Sequence, residues 1–215
     1  MIETFETAEQ LADAAAGAIA AQLSQGLEAR GHAALVATGG RSPGAVYDRL
    51  SPAPLDWAHV AVTLSDERLV DADSANSNAR LLRERLFVGA AAAARFLPLS
   101  DYAEPALAQL TPFDAVMLGM GEDGHVASLI PGSPVMAHAA GPQLLAESPA
   151  GFGSPPVPRI SMTFAALLKS RAIFLLIAGQ AKRQVIEAAL AGADLPVRTL
   201  LTQAGVPVRV LWTGN

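Results

Sequence analysis

The chain has no cysteine, which excludes disulfides, thiolate metal sites and a cysteine nucleophile and fits a cytoplasmic protein. Lysine occurs only at Lys169 and Lys182, so an anionic ligand must be held by a few local cations. The formal net charge of −5 argues against a general nucleic-acid surface, which needs a basic excess. No uninterrupted apolar run approaches the roughly 20 residues that span a bilayer. No basic segment precedes an apolar stretch near the N-terminus, so neither a membrane span nor a secretory signal is expected. His32, His59, His125 and His138 are never three to five residues apart, the spacing of helical or finger metal pairs. No metal site is expected.

What is present suits a packed core: 215 residues, 51% hydrophobic and only 16% charged. Apolar positions recur with helical spacing from Thr7 to about Arg30, opening on the cap signal Thr7-Ala8-Glu9-Gln10. Short apolar runs read as strands at Ala33 to Ala37, His59 to Leu64, Asp114 to Leu118, Ala172 to Ala178 and Val208 to Trp212, with weaker candidates at Phe96 to Leu99 and Gln143 to Glu147. Helical stretches fall at Pro43 to Leu50, Ser74 to Phe87, Pro105 to Leu110, after Thr163 to Ser170, Gly179 to Leu190 and Pro196 to Gln203. The segment Pro131 to Pro158, rich in Gly, Pro and Ser, reads as a functional or interface loop. Strands alternating with helices predict one α/β domain over residues 1–215, with a mostly parallel sheet covered on both faces.

Two motifs match in letters but not in context. Gly119-x-Gly121-x-x-Gly124 fits a dinucleotide fingerprint, yet Pro131, Gly132 and Pro134 end any following helix within a couple of turns. Gly40-Arg41-Ser42-Pro43-Gly44 fits a nucleophile elbow, and Ser42, Asp66 and His125 follow the order of a hydrolase triad. The residue after the nucleophile must give its backbone N–H to the oxyanion hole, and Pro43 has none.

Four polar segments remain where strands should stop. Gly39-Gly40-Arg41-Ser42 is a glycine-rich loop before a helix, an anion cradle or simply a tight turn. Ser65-Asp66-Glu67-Arg68 is a charge run that reads equally as a solvated loop. Asp123-Gly124-His125 places a proton-transfer side chain at a strand end, where a structural histidine is the plainer reading. Arg159 and Lys182 each precede an element boundary and each suits a phosphate or a surface ion pair.

Together these pieces resemble the 6-phosphogluconolactonase family. The resemblance rests on Gly39-Gly40-Arg41-Ser42-Pro43, Asp66-Glu67-Arg68 with Asn76 and Asn78, Gly119 to Leu129, Pro158 to Thr163, and Gly179-x-x-Lys182, in order along nearly the whole chain. It departs modestly, with Val126 and Ser42 where threonine is common. The resemblance implies a three-layer α/β/α fold with a mostly parallel, Rossmann-like sheet, shared with glucosamine-6-phosphate deaminases. It further implies hydrolysis of 6-phospho-glucono-δ-lactone in the pentose phosphate pathway. The substrate is then a small phosphorylated sugar lactone, with no cofactor, nucleic acid or membrane, acted on by a monomer or small homo-oligomer. On this reading His125 is the general base and Arg68 steadies developing charge. Asp66 holds Arg68 or a sugar hydroxyl, and Asp123 steers the His125 turn. Gly39, Gly40, Arg41, Ser42, Arg159 and Lys182 take the phosphate. The alternatives are a deaminase/isomerase and a non-catalytic sugar-phosphate sensor. The deaminase turn carries a glutamate five residues after the histidine, where this chain has Ile130, and there is no basic helix-turn-helix extension.

Overall fold

Every position from Ala33 to Ala37 and from Val60 to Leu64 is buried, as in strands covered on both faces of a parallel sheet. The computed structural model describes residues 2–100 and 103–214. Its elements are β1 (Ile2–Phe5), α1 (Ala8–Arg30), β2 (Ala33–Ala37), α2 (Pro43–Leu50), β3 (Val60–Leu64), β4 (Asp66–Arg68), α3 (Asn78–Arg85) and β5 (Arg95–Phe96). They continue with α4 (Glu104–Leu110), β6 (Ala115–Gly119), β7 (Leu145–Ser148), β8 (Arg159–Met162), α5 (Phe164–Leu167), β9 (Ile173–Ala178), α6 (Gln180–Leu190), α7 (Pro196–Thr202) and β10 (Val208–Thr213).

Seven strands form one sheet in the order β1-β10-β9-β6-β2-β3-β5, and every neighbouring pair is parallel. Connections through α1, α2 and α3 run one way across the sheet; those through α4 to α7 run the other way. Right-handed crossovers therefore put the two sets of helices on opposite faces, giving the three-layer α/β/α arrangement that the sequence implies. Chain direction reverses between β2 and β6, and in open sheets the crevice at the C-terminal strand ends of such a reversal is where ligands bind.

The structure departs from the sequence reading at three places. An N-terminal strand, β1, adds to the sheet edge. The charge run at Asp66 is β4, and Arg159 to Met162 is β8; with β7 they make a second, antiparallel sheet in the order β4-β8-β7. Such short, polar strands lack the apolar run that marked the others. Finally α3 begins at Asn78 rather than Ser74, because Ser77 caps it by accepting from Arg80 N at 3.1 Å.

Thr7 caps α1 by accepting from Gln10 N at 3.2 Å, and Gln10 Oε1 reaches back to Glu6 N at 3.0 Å. At the opposite end of the sheet from the crevice, Asp114 is buried and accepts from Ala34 N at 2.9 Å. Its other oxygen pairs with Arg30 of α1 and, at 3.4 Å, with Arg171. Asp114 thus ties α1, β2 and the turn before β9 together. Asp114→Ala should lower unfolding stability by about 2–3 kcal/mol, the order of a lost charged hydrogen bond with a stranded donor, read as a shift of the urea midpoint at unchanged m.

Candidate active site

The C-terminal strand ends around the β2/β6 reversal enclose a cleft of about 510 Å³. All four polar segments reach it. The loop after β2 contributes Gly39 to Ser42, β4 contributes Asp66 and Arg68, the turn after β6 contributes His125, and Arg159 and Lys182 come from β8 and α6. Asp123 is the one predicted residue that does not line the cleft. It stands behind His125 instead.

Two glycines are there because side chains approach them closely. A Cβ on Gly39 would lie 1.8 Å from Asn78 Oδ1, and one on Gly121 would lie 2.3 Å from the His125 ring. The loop after β2 is also held from below. Tyr47, fully buried on α2, accepts from Thr38 N at 3.0 Å and donates to Thr38 O. Burial pushes its phenol far above the ordinary value, so it stays a neutral donor.

The turn after β6 is closed by a Met120–Val126 bridge and by Gly121 N donating to His125 O at 2.9 Å. Within it, Asp123 Oδ1 lies 2.5 Å from His125 Nδ1 and accepts from His125 N at 3.2 Å. A carboxylate only accepts, so Nδ1 carries the proton and Nε2 of the neutral ring is left as the basic atom. Ala127, two residues on, sits at φ 51° and lines the cleft. That left-handed conformation is disfavoured for alanine, and such strain gathers at functional turns.

The small sheet builds the facing wall by alternation. Asp66 and Arg68 share a face of β4, opposite Ser161 and Arg159 of β8, while Glu67 points the other way. The Asp66 carboxylate accepts from Ser65 Oγ at 3.0 Å and Ser128 Oγ at 2.6 Å. It does not hold Arg68, which corrects one of the two roles read from the sequence; Arg68 Nη1 donates to Asn76 O at 2.8 Å and Asn78 Oδ1 at 2.9 Å. Asp66 is 5% exposed and already doubly bonded, so its reach to a ligand is small.

Glu67 explains how a ten-residue excursion returns. Its carboxylate accepts from Asn78 N and Ala79 N, each at 2.7 Å, and from Ser77 Oγ at 3.2 Å. An acid at this helix start also suits the exposed amides there. Glu67, Asn78, Tyr47 and Ser128 are working parts that the sequence reading did not assign. Of these, Tyr47 alone lies outside the segments that carry the resemblance.

Arg159 and Lys182 both line the cleft but in different surroundings. Burial pulls Lys182 below the ordinary lysine value, with Glu122 opposing the shift and Arg41 adding to it. Burial also lowers Arg159, helped by the Arg68 charge and opposed by Asp66. Arg41 thus acts on Lys182, and Arg68 stands opposite Arg159 in the strand register.

The family model described as glucosamine-6-phosphate isomerases/6-phosphogluconolactonase matches residues 6–212. The chain belongs to that family. A 6-phosphogluconolactonase from Caulobacter vibrioides is 40% identical over 225 residues, covering 98% of this chain and 96% of its own. One from Pseudomonas putida is 41% identical, covering 98% and 92%. The crystal structure of a 6-phosphogluconolactonase from Shewanella baltica superposes with a TM-score of 0.91 at 37% identity, covering 99% of this chain and 97% of that one. Within the isomerase/lactonase family the turn after the cleft histidine is informative. Here Ile130 is buried in the core and does not line the cleft, so no carboxylate stands at that place. Among the described residues no cluster of His, Cys, Asp and Glu is suited to a metal ion, and no helix is long and apolar enough to cross a membrane.

Gly121→Ala should push the His125 ring off Asp123. The expected result is a shifted imidazole resonance in proton–nitrogen NMR correlated through Nδ1, with the remaining amide spectrum little changed.

Proposed function

We propose that this chain hydrolyses 6-phospho-D-glucono-1,5-lactone to 6-phospho-D-gluconate, a cytoplasmic step of the pentose phosphate pathway. The observation that carries the reading is the cleft itself: an imidazole held by Asp123 in a cleft also lined by Arg41, Arg68, Arg159 and Lys182, at the sheet's reversal point. Relatives with the same name over nearly their whole length support it.

The chemistry needs little machinery, because a δ-lactone is an activated ester. Nε2 of His125 takes a proton from water as the water oxygen bonds to C1. Negative charge grows on the carbonyl oxygen, where the always-charged Arg68 stabilises it. The tetrahedral centre then collapses, the bond from C1 to the ring oxygen breaks, and the imidazolium returns its proton to that oxygen, which becomes the C5 hydroxyl. Asp123 fixes the tautomer and steadies the transient imidazolium. Gly39 to Ser42, Arg41 and Lys182 take the 6-phosphate, whose binding remote from C1 orients the ester for attack. Asp66 acts through Ser128 and Ser65, fixing the wall that carries Arg68. A deaminase would need an acid where Ile130 is buried, and nothing in the cleft replaces it.

His125→Gln should lower kcat by about 10²–10⁴-fold, the usual worth of a general base, while leaving calorimetric affinity for 6-phosphogluconate nearly intact. Unchanged turnover, after correction for spontaneous hydrolysis, would remove His125 from this role.

Lys182 gives a pH signature. Its ammonium is the binding form, and burial lowers its pKa. Affinity for 6-phosphogluconate should therefore be full at neutral pH and fall as pH rises, beginning below the range of an ordinary lysine. Lys182→Arg should move that loss to higher pH, and an unmoved profile would sever the phosphate from Lys182.

A further inference from the structure

His125 stands on an open turn, with 29% of its side chain and 46% of that of Asp123 exposed to solvent. A carboxylate that wet holds an imidazole loosely, because water competes for both partners. The rest of the hold comes from the backbone. Of the four backbone polar groups of Gly124 and His125, three are satisfied inside the turn. Gly124 N donates to Gly121 O at 3.1 Å, Gly121 N to His125 O at 2.9 Å, and His125 N to Asp123 Oδ1 at 3.2 Å. The fourth, Gly124 O, accepts at 2.9 Å from Val197 N in the first turn of α7.

The planar peptide between Gly124 and His125 is therefore gripped at both ends, its carbonyl by Val197 and its N–H by Asp123. It cannot rotate without breaking one of the two bonds, and the imidazole follows its orientation. Leu195 closes the same place sterically. Gly124 has φ 77°, and a Cβ there would meet Leu195 Cβ at 3.1 Å, Cδ2 at 3.3 Å and Cγ at 3.5 Å. The leucine occupies the N-cap of α7, makes no capping hydrogen bond and is followed by Pro196. Ser, Thr, Asp or Asn would stabilise the helix better at that position, so Leu195 serves the turn rather than its own helix. Val197 and Leu200 are fully buried, which anchors the donating segment in the core.

We propose that Leu195 is a positioning residue for His125, pressing on Gly124 and holding its carbonyl against the Val197 amide. The inference rests on the lactonase reading for what His125 does, though not for where the ring sits. Leu195 does not line the cleft, so it acts through Gly124 alone. Removing its side chain frees the Gly124–His125 peptide to turn and carries Nε2 off the line of attack. A displacement of about 1 Å at a reacting group costs up to about 10²-fold in rate. The Gly39 loop and Lys182 keep their places, so ligand binding survives the change.

Leu195→Ala should lower kcat on the lactone by about 10- to 100-fold, with KM and the calorimetric affinity for 6-phosphogluconate changed by less than about twofold. The His125 Nδ1 resonance of the ligand-free variant should shift in proton–nitrogen NMR. Leu195→Met, close to leucine in volume, should recover both the rate and the resonance. Leu23→Ala gauges mere destabilisation, because Leu23 is fully buried on α1 and outside the cleft lining. It should lower the urea midpoint at least as far and leave kcat and the His125 resonance as in wild type. An unchanged kcat or an unmoved ring in Leu195→Ala would overturn the proposal, and so would an equal loss of rate in Leu23→Ala. A parallel fall of kcat and product affinity would also overturn it, since that marks a collapsed cleft. Leu195→Val carries the same test if the alanine variant does not fold. A wild type that fails to hydrolyse the lactone, while Leu195→Ala still moves the ring, would sink the lactonase reading and leave the positioning role; hydrolysis with an unmoved ring would do the reverse.

Discussion

Connections leave β2 toward one edge of the sheet and β6 toward the other, and no helix from either side can cover the ground between their C-terminal ends. That reversal is the constraint from which the rest follows. It opens the crevice, and it also decides which ends of the large sheet border it, because the segments following β2, β3, β6 and β9 all reach it. The Gly39 loop and the His125 turn are immediate neighbours across the gap for this reason alone. Parallel pairing fixes their relative height.

Upon this frame the cleft is held by hydrogen bonds aimed from behind. Tyr47 secures Thr38, Asp123 secures His125, Asn78 secures Arg68, and Ser128 secures Asp66. Each of these partners is a neutral group or a carboxylate. The positive charges facing the cleft are treated differently: among the described residues Arg41, Arg68, Arg159 and Lys182 make no ion pair, although Glu122 acts on Lys182 and Asp66 on Arg159. A site that leaves cations unneutralised in the empty protein is preorganised for an anion, since little rearrangement is needed when one arrives.

The sequence disclosed the parts that interrupt a pattern. A buried strand that stops in glycine and polar residues is conspicuous, so the loop after β2, the turn after β6 and the Lys182 helix were all legible, and with them the parallel sheet. What escaped is whatever depends on partners distant in the chain. β4 is three charged residues, with no periodicity to distinguish a strand from a solvated loop, and it becomes a strand only because β8 lies beside it. The grouping of Arg159 with Lys182 followed from chemistry, whereas the place of Arg159 opposite Arg68 follows from the register of a sheet that the sequence did not announce. Ser128 and Glu67 likewise have ordinary side chains for an exposed turn. Their roles come from the atoms that tertiary structure places against them.

The crevice is bordered very unequally. A single residue, Ser65, joins β3 of the large sheet to β4 of the small one, whereas the loop from β7 to β8, within the small sheet, runs through Gly151, Gly153 and several prolines before returning. One side of the crevice is thus tied directly to the central sheet, and the other is a long loop that brings Gly153 and Ser154 to the rim. Accommodation of bulkier or longer guests on this scaffold must come from remodelling that loop, which evolution or a designer can lengthen without disturbing a single strand of the framework.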